Sequence, residues 1–115
     1  MNEEEALKKH GEDKIEIYHK ETTPLQFSIY RDNTKTSYMK VITFKESPST
    51  ERVIGLHYFG PAADDVVGGF ALAMKLGLTK RQLDMQIGVH PSTSEDLFGL
   101  EVTKKSGKEF RKTEC

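Results

Sequence analysis

A chain of 115 residues, 30% charged and 36% hydrophobic with six Phe and four Tyr, has the composition of one globular domain and too many core formers for a disordered segment. Seventeen Lys and Arg against eighteen Asp and Glu leave a net charge of −1, which recommends neither nucleic acid nor an anionic membrane surface as a partner. No run approaches the ~20 apolar residues of a membrane span. The acidic start Met1-Asn2-Glu3-Glu4-Glu5 is unlike a secretory leader, so a cytoplasmic or mitochondrial-matrix setting is expected. The single cysteine, Cys115, excludes an intrachain disulfide and a paired-cysteine zinc site, and no metal is expected.

Asn2 can cap a helix whose first turn holds Glu3, Glu4 and Glu5, whose last turn holds Lys8 and Lys9, and which Gly11 stops. Ile15, Ile17 and Tyr18 then lie in a strand-prone run. Pro24 interrupts it before Phe27, Ile29 and Tyr30 resume the alternation, so two strands are expected. After the turn-forming Asp32-Asn33 comes the clearest strand, with Tyr38, Lys40, Ile42 and Phe44 on one face. A polar turn over residues 46–51 should join it as a hairpin to the more apolar Val53-Ile54-Gly55-Leu56-His57-Tyr58-Phe59.

Past Gly60-Pro61 the spacing of Val66, Val67, Phe70, Ala71, Met74 and Leu76 becomes helical and Gly77 closes it. Thr79-Lys80-Arg81-Gln82 and Ser92-Thr93-Ser94-Glu95 both have the form of a capping box, predicting two further short helices. Strands first and helices afterwards give an α+β domain, an antiparallel sheet with helices packed on one face. The polar residues after Gly107 read as a flexible tail, so the division is a folded unit over 1–107 and a tail over 108–115.

Signatures of a nucleotide loop, a serine elbow or a paired-histidine metal helix are missing from the sequence. Gly68-Gly69 sits inside an apolar helical segment, where close helix packing is a better reading than phosphate binding. His57, in an apolar strand, reads as a core or sheet-edge histidine. His90 stands at a joint that Pro91 keeps out of the helical region. Glu95, one or two turns on, could fix the tautomer of the ring and raise its pKa toward neutrality for acid/base work. Spacing alone leaves a second reading open, with Glu95 only a cap residue and His90 a loop histidine. Cys115 follows Lys104, Lys105, Lys108, Arg111 and Lys112, a modest field that favours thiolate, although on the residues alone an incidental terminal cysteine is the better reading.

From Gly55 onward the ordered strings Gly55-Leu56-His57-Tyr58-Phe59-Gly60-Pro61, Gly69-Phe70-Ala71-Leu72-Ala73, Gly77-Leu78-Thr79-Lys80 and Ile87-Gly88-Val89-His90-Pro91-Ser92-Thr93-Ser94-Glu95 resemble the C-terminal interface domain of the pyridine nucleotide-disulfide reductases. Asn2-Glu3-Glu4-Glu5-Ala6, Ile15-Glu16-Ile17-Tyr18 and Pro24-Leu25 extend the resemblance over nearly the whole chain. The tail Val102-Thr103-Lys104-Lys105-Ser106-Gly107 is most similar to the animal thioredoxin reductases. The resemblance implies a dimerisation domain of a homodimeric, FAD- and NADPH-dependent reductase of thioredoxin or another disulfide. In it the residue matching His90 would act as acid/base at the partner's dithiol, with Pro91 beside the cofactor, and the residue matching Glu95 would orient the ring. It also implies that the flavin and nucleotide domains and the proximal Cys-x-x-x-x-Cys pair lie outside this stretch, so that the chain alone binds neither cofactor and is inactive. Cys115 falls where the family carries a terminal redox cysteine, but Glu114 stands in place of the usual Gly and no second redox residue follows. Glutathione reductase and a non-catalytic interaction domain are the alternatives.

Overall fold

The computed structural model describes residues 1–24, 27 and 36–112. Helix α1 (Glu3–His10) begins as its residues dictate. The Asn2 side chain accepts from the Glu5 amide at 2.8 Å and the Glu5 carboxylate accepts from the Asn2 amide at 3.0 Å. Gly11, at φ 82°, ends it. A 3₁₀ turn (Glu12–Lys14) leads into β1 (Ile15–Thr22). The second strand expected around Phe27, Ile29 and Tyr30 lies outside the described residues, apart from Phe27, whose amide donates to the Pro24 carbonyl at 2.9 Å in a turn.

Strands β2 (Ser37–Ser47) and β3 (Thr50–Phe59) form the expected hairpin, with Val41 opposite Leu56 and Tyr38 opposite Phe59. Its turn is tighter than the polar stretch suggested. Glu46, Ser47, Thr50 and Glu51 are all in strands, leaving Pro48 and Ser49 to reverse the chain. A register shift between Lys45 and Ser47 absorbs the irregularity, and the Arg52–Glu46 ion pair at 2.7 Å holds the strand ends together. β1 pairs antiparallel with the other edge of β2, and a two-residue strand β4 (Arg111–Lys112) adds parallel to β1, so the order is β3-β2-β1-β4. Residue 108 is therefore no structural break. The Glu21 amide donates to the Phe110 carbonyl at 2.9 Å and Arg111 pairs with Glu21 at 3.3 Å, so the segment through Lys112 is docked on the sheet.

Helix α2 (Ala63–Lys75) and the short α3 (Lys80–Asp84) follow, α3 opened by the Thr79–Gln82 capping box that the sequence announced. The α+β class and antiparallel sheet hold, but the covering is two-sided. On one face Val41, Met39 and Val53 pack with Leu83, Leu97 and Leu100, joined by Val66, Phe70 and Met74 of α2. On the other, Ile42, Ile15 and Ile17 pack with Ala6 and Leu7 of α1. Alternation along β2 explains this: Ile42 and Phe44 point to α1, while Met39 and Val41 point to α2 and α3, and both sets are apolar.

The chain between α3 and Leu100 is closed by Lys80, which is 5% exposed. Its ammonium donates to the Leu100 carbonyl at 2.8 Å and to Asp84 Oδ2 at 2.6 Å, and lies 4.3 Å from the centroid of the Tyr18 ring. Lys80→Met, which keeps the stem and removes the donors, should lower stability by about 1–3 kcal/mol because a buried carbonyl loses its partner. Urea unfolding checks this, and a loss no larger than that of the exposed Lys75→Met would contradict it.

Candidate functional site

Residues 85–99 leave the core between α3 and Leu100. Ile87 (87% exposed), Val89 (78%) and Met85 face outward, and the His90 side chain that follows them is 70% exposed. The His90–Pro91 peptide is cis. Its partner comes from the next turn, Glu95–Leu97, which is a single 3₁₀ turn and not the helix expected from Ser92. Ser92 does not cap it through its hydroxyl, which sits 3.1 Å from Ser94 Oγ, and Gly99 at φ 65° turns the chain away after Phe98. Leu97, fully buried, roots the turn in the core.

Half of the capping box survives and carries the site. The Glu95 carboxylate accepts from the Ser92 amide at 3.1 Å, and the same carboxylate lies 3.0 and 3.1 Å from His90 Nδ1. Glu95 is therefore at once a cap residue and the hydrogen-bond partner of the ring. Burial works against its ionisation, but the Ser92 amide and the His90 ring outweigh that and hold the carboxyl below its ordinary range. An ionised carboxylate is acceptor-only, so Nδ1 carries the proton in the neutral ring and Nε2 is left as the basic nitrogen. Among the described residues Nε2 has no partner and faces open surroundings.

Two supports escaped the sequence reading. A Cβ on Gly88 would fall 2.5 Å from Glu95 Cβ and 3.0 Å from its Cα, so the chain entering His90 runs against the Glu95 turn where a side chain has no room. Lys20 of β1 pairs with Asp96 and ties that turn to the sheet across 76 residues of sequence, a separation with no local signal. The other candidates take plainer roles. His57, on edge strand β3, sits 3.4 Å from the Met1 carbonyl. Gly68 and Gly69 are exposed, and among the described residues no atom outside the backbone of α2 lies within 4 Å of where a Cβ would fall, while Gly69 also lines a cavity with Val66, Phe70, Leu83 and Phe98. Val66, Phe70 and Met74 of α2 pack against the core, and Gly68, Leu72 and Leu76 are exposed. Cys115 lies outside the described residues.

The model of the pyridine nucleotide-disulphide oxidoreductase dimerisation domain matches residues 1–99. The chain belongs to this family. It is 44% identical, over all of its 115 residues, to thioredoxin reductase SEP1 of Emiliania huxleyi, and 37% identical to mitochondrial thioredoxin reductase 2 of Drosophila melanogaster. It spans 23% and 22% of the lengths of those two relatives. The α+β sheet with its carboxylate-held histidine is thus found in a chain related to oxidoreductase dimerisation domains.

Because Glu95 has a depressed carboxyl pKa, what it adds to the turn is present above the ordinary carboxylate range and is lost as pH falls through its lowered value. A carboxyl-carbon NMR titration of Glu95 should therefore show a midpoint below that of an ordinary Glu, moving up in His90→Ala. An unmoved midpoint would mean the ring contributes nothing to holding the carboxylate.

Proposed function

We propose that this chain is the dimerisation domain of an NADPH-dependent flavoprotein thioredoxin reductase, acting in cell redox homeostasis, and that in the homodimer it lends His90 and Glu95 to the dithiol beside the partner's flavin. The observation that carries the reading is the exposed imidazole with Nδ1 held by a carboxylate and Nε2 open. Such a ring can take a proton from a thiol that must become thiolate and return it to the leaving thiol. Glu95 keeps the tautomer fixed and stabilises the imidazolium during the exchange. Thioredoxin as the substrate is supported by the names of the two relatives, and a cytoplasmic or mitochondrial-matrix setting accords with it.

The described residues do not fit a cradle for FAD or NADPH. Among the described residues the only parallel pairing is the two-residue β4, no glycine-rich turn joins a strand to a helix, and Gly68-Gly69 lies in the middle of α2. Both cofactors, which would supply the electrons, are assigned to other parts of the reductase. His90 and Pro91, both exposed, are the groups here that would meet the flavin site across the subunit contact. By itself the chain is expected to reduce no disulfide. The exposed apolar side chains Leu72, Leu76, Met85, Ile87 and Val89 support association with a second subunit, which would cover them.

In a full-length reductase carrying this domain, His90→Gln should lower disulfide turnover by about 10²- to 10⁴-fold with flavin content unchanged, and Glu95→Gln should lower it less. Unaltered turnover in His90→Gln would refute the assignment. The chain alone should sediment as a self-associating species that Leu72→Glu drives to monomer; a wild-type monomer at high concentration would remove this face as the contact.

A further inference from the structure

One charge of the sheet is directed at the turn that carries Glu95. Lys20 lies two residues beyond Tyr18 in β1, so its side chain stands on the face of the sheet that packs with α2, α3 and Leu97. Its base is held on both sides. Lys20 pairs with Met39 of β2 in the ladder, and on the opposite edge the amides of His19 and Glu21 donate to the Val102 and Phe110 carbonyls at 3.0 and 2.9 Å, with the His19 ring stacked on Phe110. From that base the ammonium reaches Asp96, the neighbour of Glu95, and the two side chains are only 19% and 22% exposed. We propose that Lys20 is a positioning residue for the His90–Glu95 pair, acting through Asp96 to aim the Glu95 carboxylate at the imidazole. The effect on turnover rests on the acid/base reading of His90; the effect on the carboxylate does not.

The other holds on this turn fix its depth and leave its aim open. Leu97 is fully buried, but apolar contact has no direction. The backbone bonds, from the Leu97 amide to the Ser94 carbonyl at 3.1 Å and from the Phe98 amide to the Glu95 carbonyl at 3.0 Å, close a single 3₁₀ turn. Gly88 abuts Glu95 and blocks movement toward that side alone. Swinging the Glu95 carboxylate off His90 requires the turn to rotate about Leu97, and that rotation carries Asp96 away from Lys20. An ion pair to a strand held on both edges therefore supplies the missing constraint.

Lys20 also balances the charge beside the ring. Glu95 and Asp96 are adjacent carboxylates, and an unpaired Asp96 would oppose the ionisation of Glu95. Burial disfavours the Glu95 carboxylate, while the Ser92 amide, the His90 ring and the charge of Lys20 favour it and prevail. Charges on the elements packed around the turn are otherwise engaged or acidic: Asp84 of α3 is paired with Lys80, Glu16 of β1 faces Lys45 at 3.7 Å, and Asp65 of α2 lines the same cavity as Ser94 and Phe98. Removing Lys20 takes away a cation and uncovers an anion. Both changes act in the same direction, raising the pH at which Glu95 ionises.

Two readouts belong to the chain itself, the carboxyl-carbon titration of Glu95 and the ring ¹⁵N shifts that report the share of the Nδ1–H tautomer of His90. A third is disulfide turnover by a full-length reductase carrying the domain. Lys20→Met should raise the Glu95 midpoint, lower the Nδ1–H share, and reduce turnover about two- to fivefold with flavin content unchanged, the range a partly exposed ion pair can supply. Lys20→Arg should restore all three. Asp96→Asn should lower the Nδ1–H share as Lys20→Met does, and the double variant no further than either single one, because the two residues act through one contact. Lys75→Met, which removes an exposed lysine of α2, should change none of them. An unmoved Glu95 midpoint and tautomer share in Lys20→Met would overturn the proposal even if His90→Gln abolishes turnover. If both move while His90→Gln leaves turnover intact, the positioning role stands and the acid/base reading falls.

Discussion

The buried ammonium of Lys80 is the contact on which the geometry of the candidate site depends. Residues 85–99 make an excursion with little core of their own beyond Leu97 and Phe98, and its outward side chains gain nothing from burial in this chain. A loop of that kind keeps its shape only if both ends are pinned. Lys80 pins them by joining α3, through Asp84, to the Leu100 carbonyl, and by lying over Tyr18 it fixes that junction against β1. A hydrophobic side chain would fill the space but leave the carbonyl unpaired, which explains why a charge is tolerated there.

The sheet transmits this order in both directions. Because β2 is apolar on both faces, it is the plane on which α1 packs from one side and α2 with α3 from the other. Glu3 accepts from Lys40 in the sheet and from Lys104 near the chain end, and Lys20 in β1 reaches Asp96 beside the Glu95 carboxylate. Individually such partly exposed pairs are worth at most ~1 kcal/mol. Their value here is positional, since Glu3 links α1 to both the sheet and the turn at Lys104, and Lys20 links the sheet to the turn that carries Glu95.

An imidazole held by a carboxylate is turned outward in the same stretch as the exposed Ile87 and Val89. The chain itself supplies the cap, the turn and the carboxylate that hold the ring. Because the ring is exposed, its rigidity cannot come from burial and comes from hydrogen bonds instead.

Much of this was legible without coordinates wherever the cause is local. Asn2 and Thr79 start helices because a side-chain oxygen two or three residues ahead of a free amide suffices, and the β2–β3 hairpin follows from two apolar runs around a short polar turn. The His90 and Glu95 pair was also within reach, being five residues apart at a proline joint. Sequence could not reveal that Ser92 would yield one 3₁₀ turn and no helix, that the sheet would be covered on both sides, or that Val66, Phe70 and Met74 would turn inward and leave the glycines of α2 outside. Nor could it pair Lys20 with Asp96 or His19 with Phe110. Capping, turning and alternation are settled within a few residues of chain, whereas which of two apolar faces is buried, and which distant charge or ring meets which, is decided only when the whole core closes.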